Sequence, residues 1–511
     1  MALLTALDRR STIAPTTYNR WLIPPAALAV HLCIGQVYAT SVYKTSMVAH
    51  FGTSQTAIGV TFSIAIVMLG LSAAVGGTWV ERNGPRKAMF VAACFWGAGF
   101  LIGALGIATS QLWLLYLGYG VVGGIGLGIG YISPVSTLIK WFPDRPGLPT
   151  GMAIMGFGGG ALVASPLSRQ LLSAYDAGYD PSSATSTASG HALTMLFVTL
   201  GIAYFAVMML GVANVRVPAH GWAPKGFDPS SVKAKPMVTT ASVSAANAIR
   251  TPQFWLMWIV LFCNVTAGIG ILEQASPMIQ DFFRGNGTST VAVAAAGGFV
   301  GVLSLFNMAG RFVWSSTSDV IGRKPIYLLY LGGGIVLYFL LATVGSSATA
   351  LFVLLAALII SFYGGGFATA PAYLRDLFGV FQVGAIHGRL LTAWSAAGVV
   401  GPLIVNGFLD AQGKPGTLTA AAYRPALFTM VGVLAVGFVA NLLIRPVAER
   451  FHEEHTRAAE GPADSEVVSA EAPSGSTSGQ QGRLVLSWAL VVLLLGYGVL
   501  QTLTTAAKLF G

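Results

Sequence analysis

An arginine stands inside an apolar stretch of this chain. Residues 310–325 read GRFVWSSTSDVIGRKP, and Arg311 comes eight residues before a polar turn that begins at Asp319. A helix rises about 1.5 Å per residue, so Arg311 lies about 12 Å from that turn. That is close to the middle of a hydrocarbon core about 30 Å thick. An arginine at such depth must face a polar interior and meet an anion. Its planar fork suits a carboxylate, which it grips through two parallel hydrogen bonds at any working pH. Two partners remain open: a carboxylate taken from solution, or an acidic side chain in a helix-packing ion pair. Glu273 is the one acid within an apolar run away from the polar turns. It can carry a proton if burial favours its neutral form. It can instead pair with Arg311, or sit in water at the mouth of its helix.

Other residues can complete an anion site. Tyr38, Tyr131, Tyr363 and Trp394 each offer a donor on an aromatic body that excludes water. Gln36 is the counterpart of Glu273, 237 residues earlier (273 − 36 = 237), and joins the candidate set. His387 and Arg389 are candidates for a second cation, although Arg389 reads equally well as a helix-start side chain reaching back to the interface. Cys33, Cys94 and Cys263 are scattered and have no zinc or disulfide spacing. No metal or cofactor is expected. The chain lacks His-Glu-x-x-His, Gly-x-Ser-x-Gly and any intramembrane acid pair, so an enzyme is not expected either.

These side chains need membrane helices to hold them. The sequence is 54% hydrophobic and 9% charged, with a mean hydropathy of +0.71, which excludes an ordinary soluble protein. The net charge of +10 sits mostly in short loops between apolar runs, a membrane pattern rather than a nucleic-acid one. Met1 to Arg20 is polar, and the first apolar run reads as an uncleaved span. Twelve runs fall into two sets of six, with a thirteenth after them. The expected organisation is a cytoplasmic tail over 1–21, a six-helix bundle over 22–213 and a cytoplasmic linker over 214–252. A second six-helix bundle over 253–446, a Ser/Gly-rich tether over 447–482 and an additional transmembrane helix over 483–511 follow. Loop charge places the N-terminus and the even-numbered loops in the cytoplasm of a plasma (inner) membrane.

The two sets of six are copies. A turn reading Gly77-Thr-Trp-Val-Glu81-Arg82-Asn-Gly84-Pro-Arg86-Lys returns at Asp319-Val-Ile-Gly322-Arg323-Lys, and 319 − 81 = 238. Pro134 matches Pro371, Gly151 matches Gly388 and Pro166 matches Pro402 at offsets of 237, 237 and 236. Arg311 departs from the repeat: eight residues before Glu81 stands Ala73. A charge that the fold does not require points to function.

Six plus six helices with an acid-x-x-Gly-x-basic turn after the second and eighth resembles the major facilitator superfamily. Within it, HLCIGQVYATSVY (31–43), GLGIGYISPVSTLIKWFPDRPGLPTG (126–151), YGGGFATAPAYLRDLFG (363–379) and HGRLLTAWSAAGVVGP (387–402) resemble the oxalate/formate antiporter family, with monocarboxylate transporters as neighbours. Glu81 in place of Asp, Pro85 in place of an arginine and Ser315 in place of a glycine depart from the usual turn. The resemblance implies an all-α membrane protein of the major facilitator fold, two six-helix bundles plus one extra C-terminal transmembrane helix. It implies a monomer that moves small carboxylates by alternating access, with a proton or a counter-anion as co-substrate. It also implies an arginine in helix 8 and a lysine in helix 11 as carboxylate ligands. Arg311 fits the first, but Trp394 stands at the second, which favours a monocarboxylate over a dicarboxylate. The alternative reading is a membrane anion sensor on the same fold that binds without transporting.

Overall fold

A computed structural model describes residues 7–15, 17–180, 186–219, 222–224, 237–239, 241–285, 288–289, 291, 293–412, 418–453 and 477–507. Thirteen long helices dominate these residues. They are α1 (Arg20–Thr40), α2 (Gln55–Asn83), α3 (Pro85–Ala108), α4 (Leu112–Trp141), α5 (Gly147–Tyr175) and α6 (Gly190–Asn214). In the second half come α7 (Pro252–Phe282), α8 (Val293–Ile321), α9 (Arg323–Ser347), α10 (Thr349–Phe378), α11 (Val383–Gln412) and α12 (Ala420–Leu443), and α13 (Thr477–Ala506) follows. Among the described residues, twelve of these helices have both the length and the hydropathy to cross a membrane. α8 is as long, and Asn307, Arg311 and the run Ser315-Ser316-Thr317-Ser318-Asp319 give it polar groups along its second half. Large apolar side chains such as Val75, Leu105, Ile202, Leu403 and Val436 remain exposed on the outer faces, as lipid-facing residues must.

Local sequence explains where the helices begin and end. Ser54, Ser189 and Thr251 accept from the backbone N–H three residues on and cap α2, α6 and α7. Gly84 and Gly322 end α2 and α8 with φ of +84° and +92°, a region that disfavours side chains. They are the same position in the two copies. α1 is regular only to Ile34; over Gly35–Val42 it tightens to three residues per turn.

The two halves meet along two crossings, α2 with α11 and α5 with α8. These crossings are images of one another. A Cβ added at Gly151 on α5 would stand 2.8 Å from the Arg311 carbonyl oxygen, and one at Gly388 on α11 would stand 2.2 Å from the Ala73 carbonyl oxygen. Gly151 pairs with Gly388 and Ala73 with Arg311 in the repeat, so the pseudo-twofold is written in backbone contacts. A leucine at Gly388 must push α2 and α11 apart. Overpacking of this kind costs about 1–3 kcal/mol, enough to shift a conformational balance roughly tenfold. Gly388→Leu is expected to open this end of the molecule, read as faster thiol labelling at Ala385→Cys; labelling at the rate of the Ala385→Cys single variant would show that the crossing yields elsewhere.

α13 lies along the outside of the seam between the halves. Leu495 reaches Gly159 of α5, where Met308 of α8 also packs, and Thr502 sits against Gly301 of α8. Trp488 Nε1 donates to the Trp21 carbonyl at 3.1 Å. The helix begins at Thr477, earlier than the boundary of 483 read from hydropathy. Its polar first turns are held by tertiary bonds: Gln480 accepts from Asn19 N at 3.0 Å and Arg483 donates to Asn214 at 2.6 Å. The rest of the expected tether, 454–476, and residues 225–236 of the expected linker lie outside the described residues.

Candidate functional site

Arg311 is fully buried between the two halves. Its Nε donates to Asn307 Oδ1 one turn back on α8, at 3.0 Å. Its Nη1 crosses to the first half and donates to the Ile154 carbonyl on α5, at 3.2 Å. Its Nη2 has no hydrogen-bond partner in the protein. No carboxylate stands within 4 Å of the guanidinium among the described residues, so the internal ion pair is not formed. The charge is held by dipoles and by aromatic faces instead: Cζ lies 5.7 Å from the Phe157 ring and 5.3 Å from the Phe367 ring.

A cage of aromatic residues surrounds this arginine. Phe367 packs on Trp394 with centroids 4.6 Å apart, Phe157 on Trp394 at 5.5 Å, and Tyr131 edge-on to both phenylalanines at 5.6 and 5.5 Å. Tyr38 meets Phe157 at 5.1 Å. Tyr38 and Tyr363 act on Arg311 and on each other at close range without forming a well-directed bond. Tyr38, Tyr131 and Phe157 come from α1, α4 and α5; Arg311, Tyr363 with Phe367, and Trp394 come from α8, α10 and α11. The cage is therefore built by both halves.

Five of its polar atoms share one property. The hydroxyls of Tyr38, Tyr131 and Tyr363, the Trp394 Nε1 and the Arg311 Nη2 are all buried and all lack a partner in the protein. Each is or can be a donor. A buried donor without an acceptor costs about 1–3 kcal/mol, so five in one place call for an acceptor. A carboxylate is acceptor-only and anionic, the complement of this set.

The structure divides the other candidates. His387 joins the cage: it is buried, its ring is 5.8 Å from that of Tyr131, and its Nδ1 has no partner. Arg389 is half-buried two residues on, its Nη1 without a partner, and no bond or ring contact joins it to Arg311. Glu273 is exposed and accepts from Asn406 Nδ2 at 3.3 Å, the mouth position among the three readings of this residue. Gln36 does not face the cage. It donates to the Tyr43 hydroxyl at 2.8 Å and accepts from that of Tyr119 at 2.9 Å, within the first half. Its amide is satisfied there, which corrects its place in the binding set. Asn307, Phe157 and Phe367 belong to the site and were not singled out from sequence. Asn307 had a legible signal, four residues before Arg311 on one helix face.

The repeated turns form one closed end. Glu81 Oε1 accepts from Gly384 N at the start of α11, at 3.1 Å, and its Oε2 meets Lys140 at 2.6 Å. Asp319 accepts from Gly147 N and Leu148 N at the start of α5, both at 2.9 Å, and meets Arg323 at 2.5 Å. Each acid thus caps a helix of the opposite half. Arg323 also bonds Asp376 at 3.2 Å, Arg86 donates to the Val215 carbonyl at 3.2 Å, and Arg82 stays exposed. Gly77 faces Ala385 of α11 across the same crossing.

Comparison with known proteins agrees with this architecture. The sequence matches the family model for the Major Facilitator Superfamily over residues 26–371 and 296–511. It is 25% identical over 384 residues to the oxalate:formate antiporter of Oxalobacter formigenes, covering 75% of this chain and 83% of that one. It is 24% identical over 392 residues to apicoplast pyruvate carrier 1 of Toxoplasma gondii, covering 70% of each. Among solved structures, FucP in its outward conformation is similar with a TM-score of 0.60 at 14% identity, over 83% of this chain and 99% of that one; this bears on the fold alone.

Proposed function

This chain belongs to the Major Facilitator Superfamily, and we propose that it is a secondary transporter of small carboxylates. The observation that carries this reading is the set of buried, unpartnered donors around Arg311, built from both halves. The carboxylate takes the Arg311 fork and the phenol and indole donors, and the apolar rings receive its short carbon end. Alternating access follows from the construction: the site lies between two bundles whose crossings are pseudo-symmetric, and one end is pinned by Glu81 and Asp319. The abundance of lysine and arginine at that end supports a cytoplasmic orientation for it, and the reading puts the protein in the plasma membrane. The antiporter and pyruvate-carrier relatives support the cargo class.

One cation sets the preferred cargo. Trp394 supplies a neutral N–H where a second charge would serve a dianion. A hydrogen bond to a charged group contributes about 1.5–3 kcal/mol, so a second carboxylate left without a cationic partner should cost oxalate roughly tenfold or more against a monocarboxylate. The cargo moves with a proton or against a second anion. The test is uptake of labelled formate, acetate, lactate, pyruvate and oxalate into proteoliposomes, with and without internal anion and a pH gradient. Accumulation of a monocarboxylate above oxalate is expected. If none of the five enters faster than into protein-free liposomes, the carboxylate reading is wrong.

A further inference from the structure

His31 occupies a position that the binding reading does not use. It lies on α1, fully buried, with its ring stacked on Tyr131 at 5.2 Å. Its Nδ1 is 2.7 Å from the Ala153 carbonyl oxygen on α5, and its Nε2 is 3.1 Å from the Tyr131 carbonyl oxygen on α4. Both partners are oxygens that only accept. A neutral imidazole has one N–H, so one of these contacts would set a ring lone pair against a carbonyl lone pair. The imidazolium donates to both. The neighbouring helices have built a seat for the charged ring.

The seat is joined to the carboxylate site through two consecutive peptide units of α5. Ala153 accepts from His31, and the next residue, Ile154, accepts from Arg311 Nη1. Tyr131, on which His31 stacks, presents its own hydroxyl to the cage. Among the described residues the charged or titratable groups that act on the His31 ring are Arg311 from α8 and His387 from α11; the helices packed directly on α1 set no carboxylate against it. Burial opposes a positive charge at His31, and the uncompensated Arg311 adds to that opposition. A carboxylate on Arg311 removes the second contribution, and the two carbonyls then hold the imidazolium against the first.

We propose that His31 is the proton-binding residue of the transport cycle. It takes one proton onto its free ring nitrogen when a carboxylate occupies the Arg311 cage and returns it to water when the carboxylate leaves. Anion and proton then cross together, with no net charge moved. This rests on the cage being a carboxylate site, and the test separates the two.

Proton uptake is measured with a pH dye in weakly buffered detergent solution, as the full-length protein is titrated with formate, acetate, lactate, pyruvate and oxalate. Wild type, His31→Gln, His31→Asn and, as a control, a substitution of the exposed His191 at the start of α6, His191→Gln, are compared. Wild type is expected to take up close to one proton per bound monocarboxylate. Its affinity should fall as pH rises through the window between the unbound and bound pKa values of the group, approaching tenfold per pH unit. His31→Gln keeps a donor for one carbonyl and is expected to bind with no proton uptake and no pH dependence. His191→Gln should keep the uptake. Absence of binding by all five anions overturns the carboxylate site itself. Binding by wild type without proton uptake between pH 5.5 and 8 overturns the His31 proposal, and that arm needs no variant to fold. Uptake that survives in a folded His31 variant, or is lost in His191→Gln alone, overturns it as well.

Discussion

Arg311→Met is expected to abolish carboxylate binding while leaving the folded protein at least as stable as wild type. The two halves of this expectation come from the same geometry. In the ligand-free protein the guanidinium is a buried cation with no carboxylate partner among the described residues and with its Nη2 lacking an acceptor. Replacing a buried charge with an apolar side chain of similar volume is often neutral or stabilising, and Phe157, Phe367 and the stems of Asn307 and Ile154 offer apolar packing to the methionine. A residue kept for stability would behave in the opposite way. Carboxylate binding loses its charged partner, which costs about 2–5 kcal/mol for a buried hydrogen-bonded charge, or at least some 30-fold in affinity. Arg311→Lys keeps the charge but offers neither the fork nor the reach that ties Arg311 to Ile154, and is expected to bind weakly. The readout is the melting temperature with and without a millimolar monocarboxylate. A ligand that binds only the folded state stabilises it by about 2.7 kcal/mol at a hundred times its Kd. Wild type should show that shift and Arg311→Met should not. If Arg311→Met melts well below wild type and still shifts with carboxylate, the arginine is structural and the cage lies elsewhere.

What could be read from sequence follows the range of the interactions concerned. The two copies were legible because the polar turn, the helix prolines and the crossing glycines recur at one offset, and each has a local physical reason to be where it is. The depth of Arg311 was legible because a helix has a fixed rise. Phe157 and Phe367 were not, since a phenylalanine in an apolar span looks the same whether it faces lipid, core or ligand. His31 was hidden for a related reason: what marks it is a pair of carbonyls from two other helices, a fact of packing. Gln36 shows the converse. Its symmetry with Glu273 suggested an equivalent role, but α1 tightens over Gly35–Val42, and a period of 3.6 no longer tells which way its residues face. Tyr43 and Tyr119 then satisfy its amide. Hydropathy places the start of α13 late, since it does not register a polar turn that is folded by bonds to Asn19 and Asn214.

Removing both gate acids should have the other large effect. Glu81 and Asp319 hold this end closed by the same device, a carboxylate capping the first turn of a helix in the opposite half. Such a cap contributes about 1 kcal/mol, and its charge adds about 0.3–1 kcal/mol more at a helix N-terminus. Asp319 bonds two backbone N–H groups and Glu81 bonds one, so Asp319→Ala should act more strongly than Glu81→Ala. The two sites belong to different crossings and share no partner, so their effects should add. Together they amount to roughly 2–4 kcal/mol, a shift of some 30-fold to several hundredfold in the balance between closed and open forms. The intramolecular partners Lys140 and Arg323 do not replace them, because each lies in the same half as the acid it meets. Spin labels at Arg145→Cys and Val380→Cys, in a background without Cys33, Cys94 and Cys263, report the separation of the two halves at this end. Wild type should give one short distance, each single variant a mixture, and the double variant mainly the long distance. Carboxylate affinity for the Arg311 cage should change far less than the transport rate, since neither acid touches the cage. A double variant that keeps the short distance would show that the end is held by the glycine crossings alone and that the acids serve only as helix caps.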